Sequence, residues 1–147
     1  MIAIETKICT KCGRELPIEE FNWRNKEKGT RRSECKYCHS NFMNNLYMDK
    51  KQIISDIKQN LKCEKCGESK PYCLDFHHTD PKKKEGTIAK MISNNYRLNK
   101  ILDEIKKCRV LCANCHREFH YLNNKNNITI ENYLSGDFIF DDLEILI

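Results

Sequence analysis

The stretch "VLCANCHREFH", residues 110–120, decides how the chain is read. A short apolar run leads into a Cys-x-x-Cys pair, Cys112 and Cys115, and then into His116 and His120. In a helical segment a spacing of four puts both imidazoles on one face, where they can chelate one metal ion. A second stretch supplies what this one lacks. "LDFHHTDP", residues 74–81, ends an alternating run with two adjacent histidines, His77 and His78. Successive side chains of a strand point to opposite faces, so the two cannot share one role. One can be the third ligand to the metal of His116 and His120. The other is then turned away, toward solvent or substrate. A neutral imidazole beside a metal and a phosphate is suited to act as a general base.

Four Cys-x-x-Cys pairs organise the rest: Cys9 and Cys12, Cys35 and Cys38, Cys63 and Cys66, Cys112 and Cys115. Tetrahedral zinc takes four ligands, so such knuckles work in pairs. Neighbour pairing predicts one site from the first two knuckles, with 22 residues between them, and another from the last two, 45 apart. Cys73 and Cys108 remain as small buried hydrophobes. The N-terminus carries no signal-like apolar run and no stretch is long enough to span a membrane. A cytoplasmic location, in a bacterium or a phage-infected host cell, is therefore expected, with reduced thiols serving as metal ligands.

The 147 residues are 32% charged and 39% hydrophobic, thin for one large core. Net charge is +5 over residues 1–62, +4 over 63–121 and −4 over 122–147. The first two blocks suit a polyanion such as nucleic acid. Four segments follow: a four-cysteine zinc-finger module over 1–40, a linker helix over 41–61, a second zinc module over 62–123 and an acidic apolar tail over 124–147. In the first, "ELPIEEFNWR" has strand and turn character and "NKEKGTRRS" reads as a polar hairpin tip. In the helix, Phe42, Leu46, Ile53, Ile57 and Leu61 form an apolar stripe that Met43, Tyr47 and Ile54 widen. Lys50, Lys51 and Lys58 on its polar face can touch phosphates. In the second module, "YCLDFHH" and "RVLC" read as short strands. Between them a helix carries Leu98, Ile101, Leu102, Ile105 and Cys108 on one face. The order is strand, insertion, strand, helix, and zinc staples the strand start to the helix start. The tail begins as a linker and then packs back on the body or pairs with a second chain as a homodimer.

Residues 63–121, in "CEKC", "LDFHHTDP" and "VLCANCHREFH" and in their order, resemble the zinc-stapled HNH endonucleases of the ββα-metal (His-Me finger) group. The likeness covers about 59 of 147 residues. More loosely, residues 7–50 resemble the short zinc-finger module, of zinc-ribbon or treble-clef kind, that often precedes such nucleases in phage proteins. The fold class implied is α+β: a ββα-metal core with a structural zinc on four cysteines, preceded by a four-cysteine module and a linking helix. The resemblance makes His77 a metal ligand, His78 the general base, and His116 and His120 the remaining ligands. It implies hydrolysis of DNA phosphodiesters, most of all in double-stranded DNA. The cofactors implied are two structural Zn²⁺ and one catalytic divalent ion, Mg²⁺ or Mn²⁺, with Zn²⁺ or Ni²⁺ as alternatives given three imidazoles. Family members with an Asn before the second strand use it to brace the base; here that position is Lys107.

Around this site Arg117 is a candidate clamp for the scissile phosphate. Lys82, Lys83 and Lys84, with Arg31 and Arg32 of the first module, are candidate contacts to the nucleic-acid backbone. Asp75 and Asp80 are candidates for orienting a histidine, against their ordinary use at strand ends and turns. His39, directly after Cys38, caps its knuckle. Two other readings compete: a non-catalytic zinc-finger protein that binds nucleic acid, and a zinc-stabilised scaffold whose tail recruits a partner. Neither explains the histidines.

Overall fold

A computed structural model of the chain describes residues 5–136. It is α+β, and it divides into two compact units, Met1–Asp49 and Lys50–Ile147. No helix among the described residues is long and apolar enough to cross a membrane. Residues 137–147, which carry most of the acidic apolar tail and its expected pairing with a second chain, lie outside the described residues.

The first unit is two small hairpins. Strand β1 (Thr6–Ile8) pairs antiparallel with β2 (Glu15–Pro17), and β3 (Trp23–Asn25) with β4 (Thr30–Arg31). The turn of the first hairpin is the Cys9–Cys12 knuckle. Cys9 N–H donates to the Arg14 carbonyl and Gly13 N–H to the Cys9 carbonyl, both at 2.9 Å. Gly13 sits at φ +70°, a left-handed conformation that a Cβ disfavours. The core is Phe21 with Cys9 and Cys35, and Leu16 and Cys38 at its edge. Burying one phenyl ring is worth about 1.5–3 kcal/mol, while each ordered residue costs ~1–2 kcal/mol of backbone entropy. Such a unit needs a further constraint, and its four cysteines are placed to provide it.

Helix α1 (Lys36–Gln59) starts earlier than the helix expected over 41–61. The reason is local: the Cys35 carbonyl accepts the His39 N–H at 2.9 Å, so the second knuckle is itself the first turn of the helix. Of the apolar stripe, Ile54 is buried and Ile57 partly buried in the second unit. Phe42, Tyr47 and Ile53 are exposed, so periodicity marked a face without marking what covers it.

The second unit is built on one antiparallel ribbon, β5 (Leu74–His78) with β6 (Cys108–Cys112). Its register sets Leu74 opposite Cys112, His77 opposite Arg109 and His78 opposite Cys108. Strand β5 begins two residues later than "YCLDFHH" suggested, because Pro71 opens a 3-10 turn over Pro71–Cys73. Cys108, expected on a helix face, is the first residue of β6. The insertion holds two helices, α2 (Ile88–Ser93), capped by Thr87, and α3 (Leu98–Ile105). Helix α4 (Ala113–Asn126) follows β6 directly and extends through the expected linker to Asn127, whose left-handed φ of +50° ends it. Helix α5 (Ile130–Ser135) then packs back.

Two apolar cores form against the ribbon. One joins Leu74 and Leu111 to Phe119, Leu122, Ile128, Ile130 and Tyr133. The other joins Ile54 to Ile88, Met91, Ile92 and Ile101, with Phe76 packed on it. Leu111 is wholly buried and Phe42 is 56% exposed. Urea denaturation should therefore find Leu111→Ala less stable by about 2–5 kcal/mol, through the cavity it leaves. Phe42→Ala should stay within about 0.5 kcal/mol of the parent.

Candidate metal centres

Cys9, Cys12, Cys35 and Cys38 bring their sulfurs within 4.8 Å of one another, and so do Cys63, Cys66, Cys112 and Cys115. The knuckles pair as chain order predicts, and each set could hold a structural zinc. The two are built alike. The first knuckle of each ends in a glycine in the left-handed conformation, Gly13 or Gly67. The second opens a helix, Cys35 before α1 and Cys112 at the cap of α4, where free amides and the helix dipole favour thiolates. Cys9 Sγ accepts the Cys35 N–H at 3.3 Å and the Lys11 N–H at 3.4 Å. The first of these bonds is the main reason the Cys9 thiol is drawn down to about 6. Burial raises the Cys63 thiol, but the amides of Cys66, Cys112 and Lys65 outweigh it and bring it to about 7. Cys38 is pushed up to about 12, by burial first and then by its neighbouring thiols. Four sulfurs this close cannot all ionise alone, and a Zn²⁺ held among them would supply the missing positive charge.

The second constellation is His77, His116 and His120, whose ligand nitrogens also lie within 4.8 Å of one another. Ring centroids are 5.0 Å apart for His77 and His116, 5.1 Å for His77 and His120, and 4.8 Å for His116 and His120. Helical spacing on α4 aligns the last two, and β5 brings His77 onto them with its ring against Phe119 at 4.7 Å. Asp75, two residues before His77 and so on the same face of β5, places Oδ2 3.1 Å from His116 Nδ1. A carboxylate there fixes Nδ1 as the protonated nitrogen and leaves the Nε2 lone pair to the cluster. His116 Nε2 and His120 Nε2 are 3.1 Å apart. Burial, then the charges of His116 and His120, hold His77 down at about 4. The Lys84 ammonium adds to this at both His77 and His120. Neutral imidazole is the form that binds a metal. Three of them with a carboxylate behind one suit a borderline divalent ion such as Zn²⁺ or Ni²⁺ better than oxygen-loving Mg²⁺.

His78 turns away from this cluster, as alternation requires, but into the interior and not toward solvent. It is 8% exposed, with Nε2 2.8 Å from Glu104 Oε1. Glu104, 1% exposed on α3, also accepts the Glu85 N–H at 2.9 Å and the Lys107 ammonium at 2.7 Å. Burial alone would raise its carboxyl. Lys107, the Glu85 amide and His78 together overcome that and bring it to about 2. Glu104 is the residue that sequence reasoning missed. Its signal was a carboxylate set inside the apolar face of Ile101, Leu102 and Ile105. Lys107, at the position where the resemblance leads to an Asn, has a bracing use of its own. Besides binding Glu104, its carbonyl accepts the Thr79 N–H at 3.2 Å and the Thr79 hydroxyl at 3.1 Å, which pins the turn after His78.

The other candidates fall less close to the chemistry. Arg117 is exposed, one position beyond His116 and so about 100° round α4 from it. Asp80 caps its turn by accepting the Lys82 N–H, and Lys83 pairs with Asp80 at 3.6 Å. The Arg31 guanidinium lies 3.4 Å over the Trp23 ring and donates to the Phe21 carbonyl, while Arg32 pairs with Glu34 at 3.7 Å. His39 bonds Glu34 at 3.0 Å beside its knuckle. Cys73 and Cys108 are free thiols, half-buried, and burial pushes Cys108 up to about 11. Comparison of the chain with family models, with curated proteins and with solved structures finds no match.

The clusters make a metal count testable. Zinc-saturated protein should carry three equivalents, and His77→Ala should carry two with its far-UV circular dichroism unchanged. Asp75→Asn should keep three sites but weaken the histidine site by roughly 10–100-fold in a competitive titration. Equal affinity in the parent and Asp75→Asn would remove the carboxylate from the metal site.

Proposed function

We propose that the chain is a metal-dependent endonuclease of the HNH type, hydrolysing phosphodiester bonds in DNA. The observation that carries this reading is the meeting of His77, His116 and His120, backed by Asp75 and flanked by the Lys84 charge. The order β5, insertion, β6, α4, with a four-cysteine cluster at the ribbon end, supports a ββα-metal core for residues 62–123. Net charge of +5 over residues 1–62 and +4 over 63–121 supports a polyanionic substrate.

A divalent ion on the three imidazoles would polarise a phosphate oxygen and steady the leaving 3′-oxygen. The chain's own groups do the rest. Lys84 draws the phosphate toward the cluster, and Arg117 is free to reach the adjoining backbone. His78 is the general base. With Nε2–H held by Glu104, only Nδ1 is left to take the proton of the attacking water, and at 8% exposure that requires the water to reach His78 inside the fold. The Glu104 carboxylate then stabilises the imidazolium that forms. Lys107 and Thr79 hold this pair in place.

A second reading, a zinc-finger binder without catalysis, draws on the first unit, where β3 and β4 display Trp23, 42% exposed and stacked on Arg31, amid basic residues. Plasmid digestion separates the two. Zinc-loaded protein should nick supercoiled DNA when Mg²⁺, Mn²⁺, Ni²⁺ or additional Zn²⁺ is supplied in turn. His120→Ala should abolish nicking. His78→Ala should lower it by about 10²–10⁴-fold while three metal equivalents remain. Absence of nicking by the parent with every ion would sink the nuclease reading in favour of the binder.

A further inference from the structure

The second unit contains a cleft of about 640 Å³, within the size range of small-molecule sites. Its floor is apolar, made by Ile54, Phe76, Ile88 and Ile92. Asp75 and His116 also line it, so whatever fills the cleft lies against the metal cluster. Two features of its rim point to the chemistry of the occupant. Lys58 is half-buried there. Its ammonium meets the Leu74 carbonyl and lies 5.3 Å over the Phe76 ring, and it forms no ion pair among the described residues. Burial lowers its affinity for a proton, against the opposing pull of Asp75, so its charge is under-compensated and would be relieved by an anion. Tyr72 stands on the 3-10 turn before β5 with 83% of its surface exposed, an aromatic face that nothing in the fold requires.

An apolar floor, a free aromatic ring and lysines at the edge, Lys51 as well as Lys58, match a planar base joined to a phosphate. We propose that this cleft receives one unstacked nucleotide of a single strand, its base against Tyr72 and the apolar floor and its phosphate on Lys58 and Lys51. The placement of the neighbouring phosphodiester at His77, His116 and His120 rests on the nuclease reading; the cleft itself does not. Bases within a duplex are stacked on both faces and cannot enter. The part of the substrate that enters the cleft is thereby an unpaired base, as flaps, loops or the transiently open regions of supercoiled DNA present, and not a base within the closed duplex.

The test uses the full chain, zinc-loaded and carrying His120→Ala so that nothing is cut, titrated with a labelled oligothymidylate and with a blunt duplex. Adding Tyr72→Ala or Lys58→Met should weaken the single strand by about tenfold and the duplex by less than about twofold. Tyr72 is a surface side chain, so its truncation leaves the fold intact even if Lys58→Met does not. Unchanged single-strand affinity, as a cleft filled by a protein segment would give, overturns the proposal. So does equal weakening of both ligands. Cleavage is measured separately on the parent. Nicking without any effect of Tyr72→Ala would leave the nuclease and remove the cleft, and the converse pair of results would do the opposite.

Discussion

The register of five residues in β5 against five in β6 is the constraint on which everything else depends. The side-chain period of a strand is two, so a slip of one residue would exchange His77 and His78 between faces. The cluster with His116 and His120 would lose its third member, and Glu104 would face the wrong imidazole. A ribbon this short does not fix its own register. It is fixed at both ends. At one, Cys112 enters the four-cysteine cluster, and Glu64 of the opposing knuckle binds the Val110 N–H at 2.8 Å through its side chain. At the other, Thr79 is tied twice to the Lys107 carbonyl.

The energetics explain why so much rests on polar and metal-binding groups. Neither apolar core of the second unit is large, and the first unit has a single buried ring. Against the entropy of ordering the chain these cores are marginal. A metal ion cross-linking four sulfurs would remove freedom where apolar area cannot offset it. The buried Glu104 follows the same logic. A lone carboxylate at 1% exposure would be strongly unfavourable, and it is tolerated because one histidine, one amide and one ammonium satisfy it.

Much of this was legible in the sequence because it is written as spacing. Cys-x-x-Cys pairs, histidines at i and i+4, and an alternating run ending in two histidines carry geometry directly, and the clusters of the folded chain are built from those residues. Boundaries were less legible. Pro71 shortened β5 and the Cys35 carbonyl lengthened α1, both through single backbone groups. What could not be read was the destination of a side chain once it turned inward. Alternation sent His78 to the other face but could not say that Glu104, 26 positions on, would be waiting there. The apolar period of α1 likewise did not reveal that Phe42 and Ile53 stay exposed.

The pinned ribbon also couples the two clusters. Its two strands are separated in the chain by the whole insertion, while the knuckles that close that loop are separated by 45 residues. Helix α4 can bring His116 and His120 together by itself, but His77 reaches them only once the strands have paired. An ion on the four sulfurs would close that loop and so favour the pairing that completes the histidine cluster. If the four sulfurs hold zinc, removing that ion would also loosen the ribbon that carries His77, so the two clusters would weaken together.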